Sequence, residues 1–199
     1  EYLCGESLYA RIERTGSLQT GELIRLGIEL CRIMNYLHSF KPNPILYLDL
    51  HPGNLLICRE QLKLIDFDQA ALASLSQERS VCYGTKGFAA PEQYEGGTLD
   101  ERTDIYAIGA LLYYMGTGHA PEGEIKAGQG SCRGDLYILM GRCLRTEKKE
   151  RCQSVREVLE ALEKLEARIF AERHIPLLRI AAAGSRSGIG GTHTALGAG

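Results

Sequence analysis

From Leu23 onward apolar residues return at helical spacing: Leu23, Leu26, Leu30, Ile33 and Leu37, with Ile24, Ile28, Cys31 and Met34 widening the stripe. The pattern predicts a long helix, capped by Thr20 and stopped by Pro42 and Pro44, with much of its surface buried. Ahead of it, residues 1–6 read as an extended segment running into a turn, followed by a short helix from Ser7 to about Thr15. After it the period changes. Residues 45–48, 55–58 and 62–65 read as three short apolar strands. The first two are split by the polar loop Asp49-Leu50-His51-Pro52-Gly53-Asn54, and the third ends in Asp66-Phe67-Asp68. From Gln69 to Glu92 no period is visible, and a loop of that length in a compact domain is usually functional or mobile. Residues 104–115 are apolar on every side, the pattern of a helix at the centre of a core. A further helix is expected over 136–144. Val155, Val158, Leu159, Leu162 and Leu165 then share one helical face. Residues 176–183 read as a buried strand and 184–191 as a glycine-rich loop. A domain boundary is therefore expected near His174, with one domain over 1–173 and the start of another over 174–199.

The chain has 199 residues, enough for one domain and a piece of a second. Its 44% hydrophobic and 24% charged content is that of an ordinary soluble globular protein. The net charge is −2 and no block of like charge occurs, which argues against a nucleic-acid clamp or a polybasic membrane anchor. The longest apolar run, 105–115, is too short to span a bilayer, which takes about 20 residues. Seven cysteines (Cys4, Cys31, Cys58, Cys82, Cys132, Cys143 and Cys152) show no CxxC and no Cys/His cluster. Neither a disulfide framework nor a zinc site is indicated, and free thiols fit a reducing cytoplasm. The chain opens on Glu1 rather than Met and closes in glycines, so a fragment of something longer is expected.

The chemistry is concentrated at strand ends. Asp49 and Asn54 lie five apart in the polar loop, and Asp66 closes the next strand. Rigid strands hold such groups in place for binding a metal or handling a proton. Alone, each would be an ordinary turn residue; their order and spacing set them apart.

Asp49-Leu50-His51-Pro52-Gly53-Asn54 resembles the protein kinase catalytic loop H-R-D-L-x-x-x-N, Ile65-Asp66-Phe67-Asp68 resembles D-F-G, and Ala90-Pro91-Glu92 is A-P-E unaltered. The run from Gly84 to Tyr94 resembles bacterial serine/threonine protein kinases of the eukaryotic-like family. The resemblance covers Glu1 to about Ala171. It implies the hinge and mainly α C-terminal lobe of the α+β kinase fold, with the N-terminal lobe missing. The activity implied is serine/threonine protein kinase: transfer of the ATP γ-phosphoryl group to Ser/Thr hydroxyls of a protein substrate, with ATP and Mg²⁺ as cofactors. Asp49 would accept the substrate proton, Asn54 and Asp66 would hold Mg²⁺, and Thr85 would bond the catalytic aspartate. Glu1, Tyr2 and Leu3 resemble the hinge that pairs with adenine, Glu6 the acid that bonds ribose, and Leu56 the apolar floor under the base. Asp104 resembles the buried acid of the central helix, and Arg151 the arginine that pairs with the A-P-E glutamate.

Four positions depart from the family pattern. Tyr47 and Leu48 replace the His and Arg of H-R-D, so a switch that reads a loop phosphate is expected to be absent. His51 replaces a lysine that contacts the γ-phosphate, and Asp68 replaces the Gly of D-F-G at a cost in backbone freedom. Residues 180–192 resemble a deviant Walker A loop, with Arg186 and Gly191 where that motif has lysines, hence the start of a possible α/β P-loop domain. The N-terminal kinase lobe is an expected partner in the longer chain, and the fragment alone is expected to be inactive. Two other readings remain: a pseudokinase scaffold, and a small-molecule phosphotransferase of the aminoglycoside or choline kinase type, whose loop Asp-Leu-His-Pro-Gly-Asn also matches.

Overall fold

A computed structural model describes residues 4–76, 84–122 and 134–184. The chain divides into two compact units, Glu1–Glu166 and Ala167–Gly199, and the candidate site lies in the first. Its elements are β1 (Glu6–Ser7), α1 (Leu8–Thr15), α2 (Thr20–His38), β2 (Ile45–Leu46), β3 (Leu55–Cys58) and β4 (Gln61–Leu64). They are followed by β5 (Ala71–Leu72), α3 (Ala73–Ser76), α4 (Pro91–Glu95), α5 (Glu101–Thr117), α6 (Gly134–Cys143) and α7 (Val155–Gly184). The fold is mainly α, as the pattern implied.

The core is built around α5. Ile105, Ile108, Leu111 and Leu112 are fully buried, and α2 and α6 pack against this helix. Each such side chain contributes about 1.5–3 kcal/mol by leaving water. The α5–α6 contact is close because Gly109 has no side chain: a Cβ there would lie 2.5 Å from the Cβ of Cys143. Asp100 caps α5 by accepting the Arg102 amide at 2.9 Å, while the Thr103 hydroxyl reaches back to the Asp100 amide. At α2 the helix does start at Thr20, but the cap position is Gln19, with no side-chain cap bond.

Two small antiparallel sheets frame the site. In one, β3 lies between β1 and β4, with Leu56 opposite both Ser7 and Lys63. In the other, β2 pairs with β5. The β3–β4 turn places Arg59 and Glu60 at positive φ without a glycine. It is held by α2: Arg25 donates to the Glu60 carbonyl at 2.6 Å, and Glu29 accepts the Leu62 amide at 2.7 Å.

Two expectations are corrected. The strand over 45–48 stops at Leu46, because the amides of Tyr47 and Leu48 turn toward the Asp104 carboxylate and Leu48 adopts φ 67°. Residues 176–183 are helical, continuing α7 to Gly184, and are not a buried strand. A short apolar run has no period of its own, and Leu177, Leu178 and the three alanines 181–183 are strong helix formers. The glycine-rich stretch from Ser185 onward lies outside the described residues, as do Glu1 and Leu3.

Candidate functional site

The loop after β2 is pinned from below before any of its polar side chains comes into play. Asp104, on α5 and 1% exposed, accepts the Tyr47 amide through Oδ2 and the Leu48 amide through Oδ1, each at 2.9 Å. His38, the last residue of α2, bonds Asp104 Oδ2 through Nε2 at 2.8 Å. A buried carboxylate is tolerated here because three donors surround it.

Above that anchor the candidate residues meet. Thr85 donates its hydroxyl to Asp49 Oδ1 at 2.9 Å. Asn54 donates its side-chain amide to the Asp49 carbonyl at 3.1 Å, and its own carbonyl accepts the Ile65 amide at 3.0 Å. That last bond ties the start of β3 to the residue before Asp66. The Tyr47 hydroxyl donates to the Asp66 carbonyl at 2.7 Å and to the Ile65 carbonyl, and its ring meets Phe67 edge-on at 5.2 Å. Burial, with the Asp49 and Asp66 charges adding to it, pushes the Tyr47 phenol well above its ordinary pKa, so it remains a donor. Tyrosine thus bridges the two acidic loops where the family pattern has histidine.

Asp66 itself sits at φ 62°. An L-residue in the left-handed region costs about 1–3 kcal/mol, a strain typical of functional turns. The expected penalty at Asp68 does not arise, since Asp68 is not at positive φ and its amide donates to Asp66 Oδ1 at 3.2 Å.

His51 is held in an unexpected way. The Gly53 amide donates to His51 Nδ1 at 3.1 Å, so Nδ1 is the acceptor and the ring proton sits on Nε2. Nε2 lies 3.7 Å from Asp49 Oδ2. The ring packs over Gly53, where a Cβ would come within 2.8 Å of Cε1. The residue in the lysine position is therefore a ring held against the Gly53 backbone and beside Asp49, not a long mobile side chain.

Leu48, in the arginine position, is 3% exposed and packs with Leu46 and Leu99 against Ala71 and Ala73. An apolar cluster fills the place where the family pattern has a phosphate-reading arginine, in keeping with the expected absence of that switch.

The A-P-E segment is fixed by a second buried acid. Arg151 makes a two-pronged bond to Glu92, both contacts at 2.8 Å, and Glu92 Oε1 also accepts the Thr103 hydroxyl at 3.0 Å. The remaining Arg151 donors go to the carbonyls of Arg102, Arg145 and Thr146. Gln93 was not singled out from the sequence. Its Nε2 donates to the Leu48 carbonyl at 2.8 Å and its Oε1 accepts the Ala90 amide at 3.0 Å, clamping α4 to the catalytic loop. Its place next to Glu92 was the one available signal; His38 gave none.

The nucleotide-side residues are less tightly gathered. Leu56 is half-buried on β3. Glu6 is engaged by arginines: Oε2 accepts Arg11 at 2.6 Å and Arg14 at 3.1 Å, which hold its carboxyl below the usual range. Among the described residues no three His, Cys, Asp or Glu side chains form a metal cluster on their own. The donor types suit a hard cation shared with phosphates: Asn54, whose amide nitrogen turns to the Asp49 backbone, and Asp66 both carry oxygen donors that could hold it.

A family model described as protein kinase domain matches residues 1–173. Serine/threonine-protein kinase A of Synechocystis is 29% identical, over 86% of this chain and 38% of its own length. Integrin-linked protein kinase 1 of Arabidopsis thaliana is 32% identical, over 59% of this chain and 26% of its own. Serine/threonine-protein kinase PknB of Mycobacterium leprae is 32% identical, over 61% of this chain and 20% of its own. The chain thus spans well under half the length of these relatives. No helix among the described residues is long and apolar enough to cross a membrane.

Proposed function

The chain belongs to the protein kinase family, and from that premise we propose that it carries the catalytic lobe of an ATP-dependent serine/threonine protein kinase. The observation that carries the reading is the bond from Thr85 to Asp49. It joins the segment leading into A-P-E, the platform for a protein substrate, to the carboxylate that would receive the substrate proton. A small-molecule phosphotransferase has no use for that platform. A scaffold lacking catalysis has no use for the alignment of Asp49, Asn54 and Asp66.

Asp49 uses Oδ1 to accept Thr85 and turns Oδ2 to the incoming Ser/Thr hydroxyl, orienting its oxygen and taking its proton. Asn54 and Asp66 would hold Mg²⁺, which would supply neutralisation of the phosphate charge. His51 places its Nε2 proton beside Asp49, where it can donate to a transferred phosphoryl oxygen. Leu56 supplies an apolar floor for adenine, and the backbone of Glu1 and Leu3 its polar edge. Glu6, occupied by Arg11 and Arg14, anchors α1 to the sheet and reaches ribose only by giving up one of those partners. The glycine-rich loop and strand lysine that position phosphates belong to an N-terminal lobe, proposed as the partner of this one in the cytoplasm.

The test is made on the kinase with both lobes. Asp49→Asn should abolish phosphoryl transfer to a protein substrate while leaving Mg·ATP affinity within about threefold, under ~1 kcal/mol. Asp66→Asn should weaken Mg·ATP binding itself. Turnover retained by Asp49→Asn would overturn the assignment.

A further inference from the structure

Phosphoryl transfer leaves the four buried thiols among the described residues, Cys58 on β3 and three more, without a role. Cys31 on α2, Cys143 at the end of α6 and Cys152 ahead of α7 are each 0% exposed. Cys143 and Cys152 are free thiols whose sulfurs lie 3.9 Å apart, with Cys143 donating to Cys152. We propose that Cys143 and Cys152 are a modification site: a dithiol that a peroxide converts to a reversible disulfide. This does not depend on the kinase assignment.

A disulfide needs its sulfurs at about 2.05 Å, so the pair must close by roughly 2 Å. Cys152 lies outside any helix or strand, between the short turn Lys148–Glu150 and the start of α7 at Val155, so the closing movement falls on a non-helical segment. Cys143 is backed by Gly109 on the central helix and stays in place. The two thiols are also unequal. The hydrogen bond from Cys143 favours the thiolate at Cys152 against the opposing effect of burial, and the Arg142 cation adds to it; the same bond, with burial, raises Cys143. Cys152 is thus the attacking sulfur and Cys143 the resolving one. Arg142 and Glu157, half-exposed and in contact at 2.5 Å, are the charged groups acting on Cys152, and since both thiols are buried the oxidant reaches them only by a local opening.

The steps balance. Cys152 thiolate attacks one peroxide oxygen, the O–O bond breaks, and with one proton the products are Cys152 sulfenic acid and water. Cys143 sulfur then attacks the sulfenic sulfur; the S–O bond breaks and its oxygen leaves as water, carrying the thiol proton. Two thiols and one hydrogen peroxide give one disulfide and two waters. In a reducing compartment such a bond is transient, as expected for a sensing pair. Its product ties the segment that carries Arg151 to α6, across nine positions.

The protein is treated with hydrogen peroxide, unfolded, blocked with iodoacetamide and cut with trypsin. Cleavage after Arg142, Arg145, Arg151 and Arg156 places the two cysteines on separate peptides, 143–145 and 152–156. The expected result is those two peptides joined, released by dithiothreitol, with the oxidised protein melting about 5 °C or more above the reduced one. Cys143→Ser should lose the joined peptides and accumulate sulfinic acid at Cys152. Recovery of both cysteines alkylated while exposed Cys4 is oxidised would overturn the proposal, as would Cys152 joined to Cys31. The wild-type map decides the question even if Cys143→Ser fails to fold.

Discussion

Thr85 donates its hydroxyl to Asp49 across 36 positions of chain, at 2.9 Å. In the proposed reaction the bond leaves Oδ2 of Asp49 for the substrate. Thr85→Ala should lower kcat for protein phosphorylation about tenfold, ~1.4 kcal/mol in barrier, with the KM for ATP unchanged. Thr85→Ser keeps the donor and should retain most of the rate. Initial rates at saturating and limiting ATP separate the two parameters, and an equal loss in serine and alanine variants would mean that the methyl group matters and the hydroxyl does not.

Arg151 and Glu92 are both buried, so removing one strands the other. Arg151→Ala leaves a carboxylate out of water with Thr103 as its remaining partner and should cost about 3–5 kcal/mol in urea unfolding. The pair Glu92→Leu with Arg151→Met should cost less than Arg151→Ala alone, since no unpaired charge remains. A larger loss in the double variant would show that packing dominates over charge.

Asp100 provides a pH dependence. Burial alone would raise its carboxyl, but hydrogen bonds from Arg102 and Lys148 outweigh burial and bring it from the usual 3.8 to about 2. The folded value lies below the unfolded one, so the stabilisation is complete above pH 4 and disappears as the pH falls toward 2. The fall from 3.8 to about 2 corresponds to about 2.5 kcal/mol at most. Asp100→Asn should therefore be less stable than wild type at pH 7 by that order, with the gap narrowing as unfolding is repeated from pH 4 downward. A gap that stays constant with pH would leave the helix cap, and not the ion pairs, as its source.

Gly53 lets the His51 ring lie flat on the backbone. Gly53→Ala would force Cε1 off a Cβ at 2.8 Å, breaking the hydrogen bond from the residue-53 N–H to Nδ1 and turning Nε2 away from Asp49. Turnover should fall about tenfold while the melting temperature moves by less than about 3 °C, under ~1 kcal/mol. Nitrogen shifts in an NMR spectrum of His51 should report the Nε2-protonated ring in the wild type and a mixture in the variant.

What could be seen in advance followed from how each residue is held. The helices α2 and α5 were legible because burial on one or all faces writes a period into the chain. The order of Asp49, Asn54 and Asp66 stands out in the chain because one short loop separates the first two and the β3–β4 hairpin the last two. Leu177 and Leu178 misled because apolar residues serve strand and helix alike. How His51 is held could not be read in advance, because it depends on the Gly53 amide meeting Nδ1. Gln93 and His38 act on backbone groups and on a buried acid far away in sequence, and neither contact leaves a local pattern. Cys143 and Cys152 meet because α6 ends where the turn before α7 begins, a juxtaposition that no CxxC spacing announces.

The carboxylate of Asp104 has a consequence for how this protein comes apart. The amides of Tyr47 and Leu48 belong to no helix or sheet ladder, yet both end on the central helix. Their protons should exchange with deuterium only when α5 itself opens, hours behind those of other loop residues. The loop that bears Asp49 is thus part of the last structure to melt, and heating should abolish alignment of the reactive carboxylate together with the core and not ahead of it.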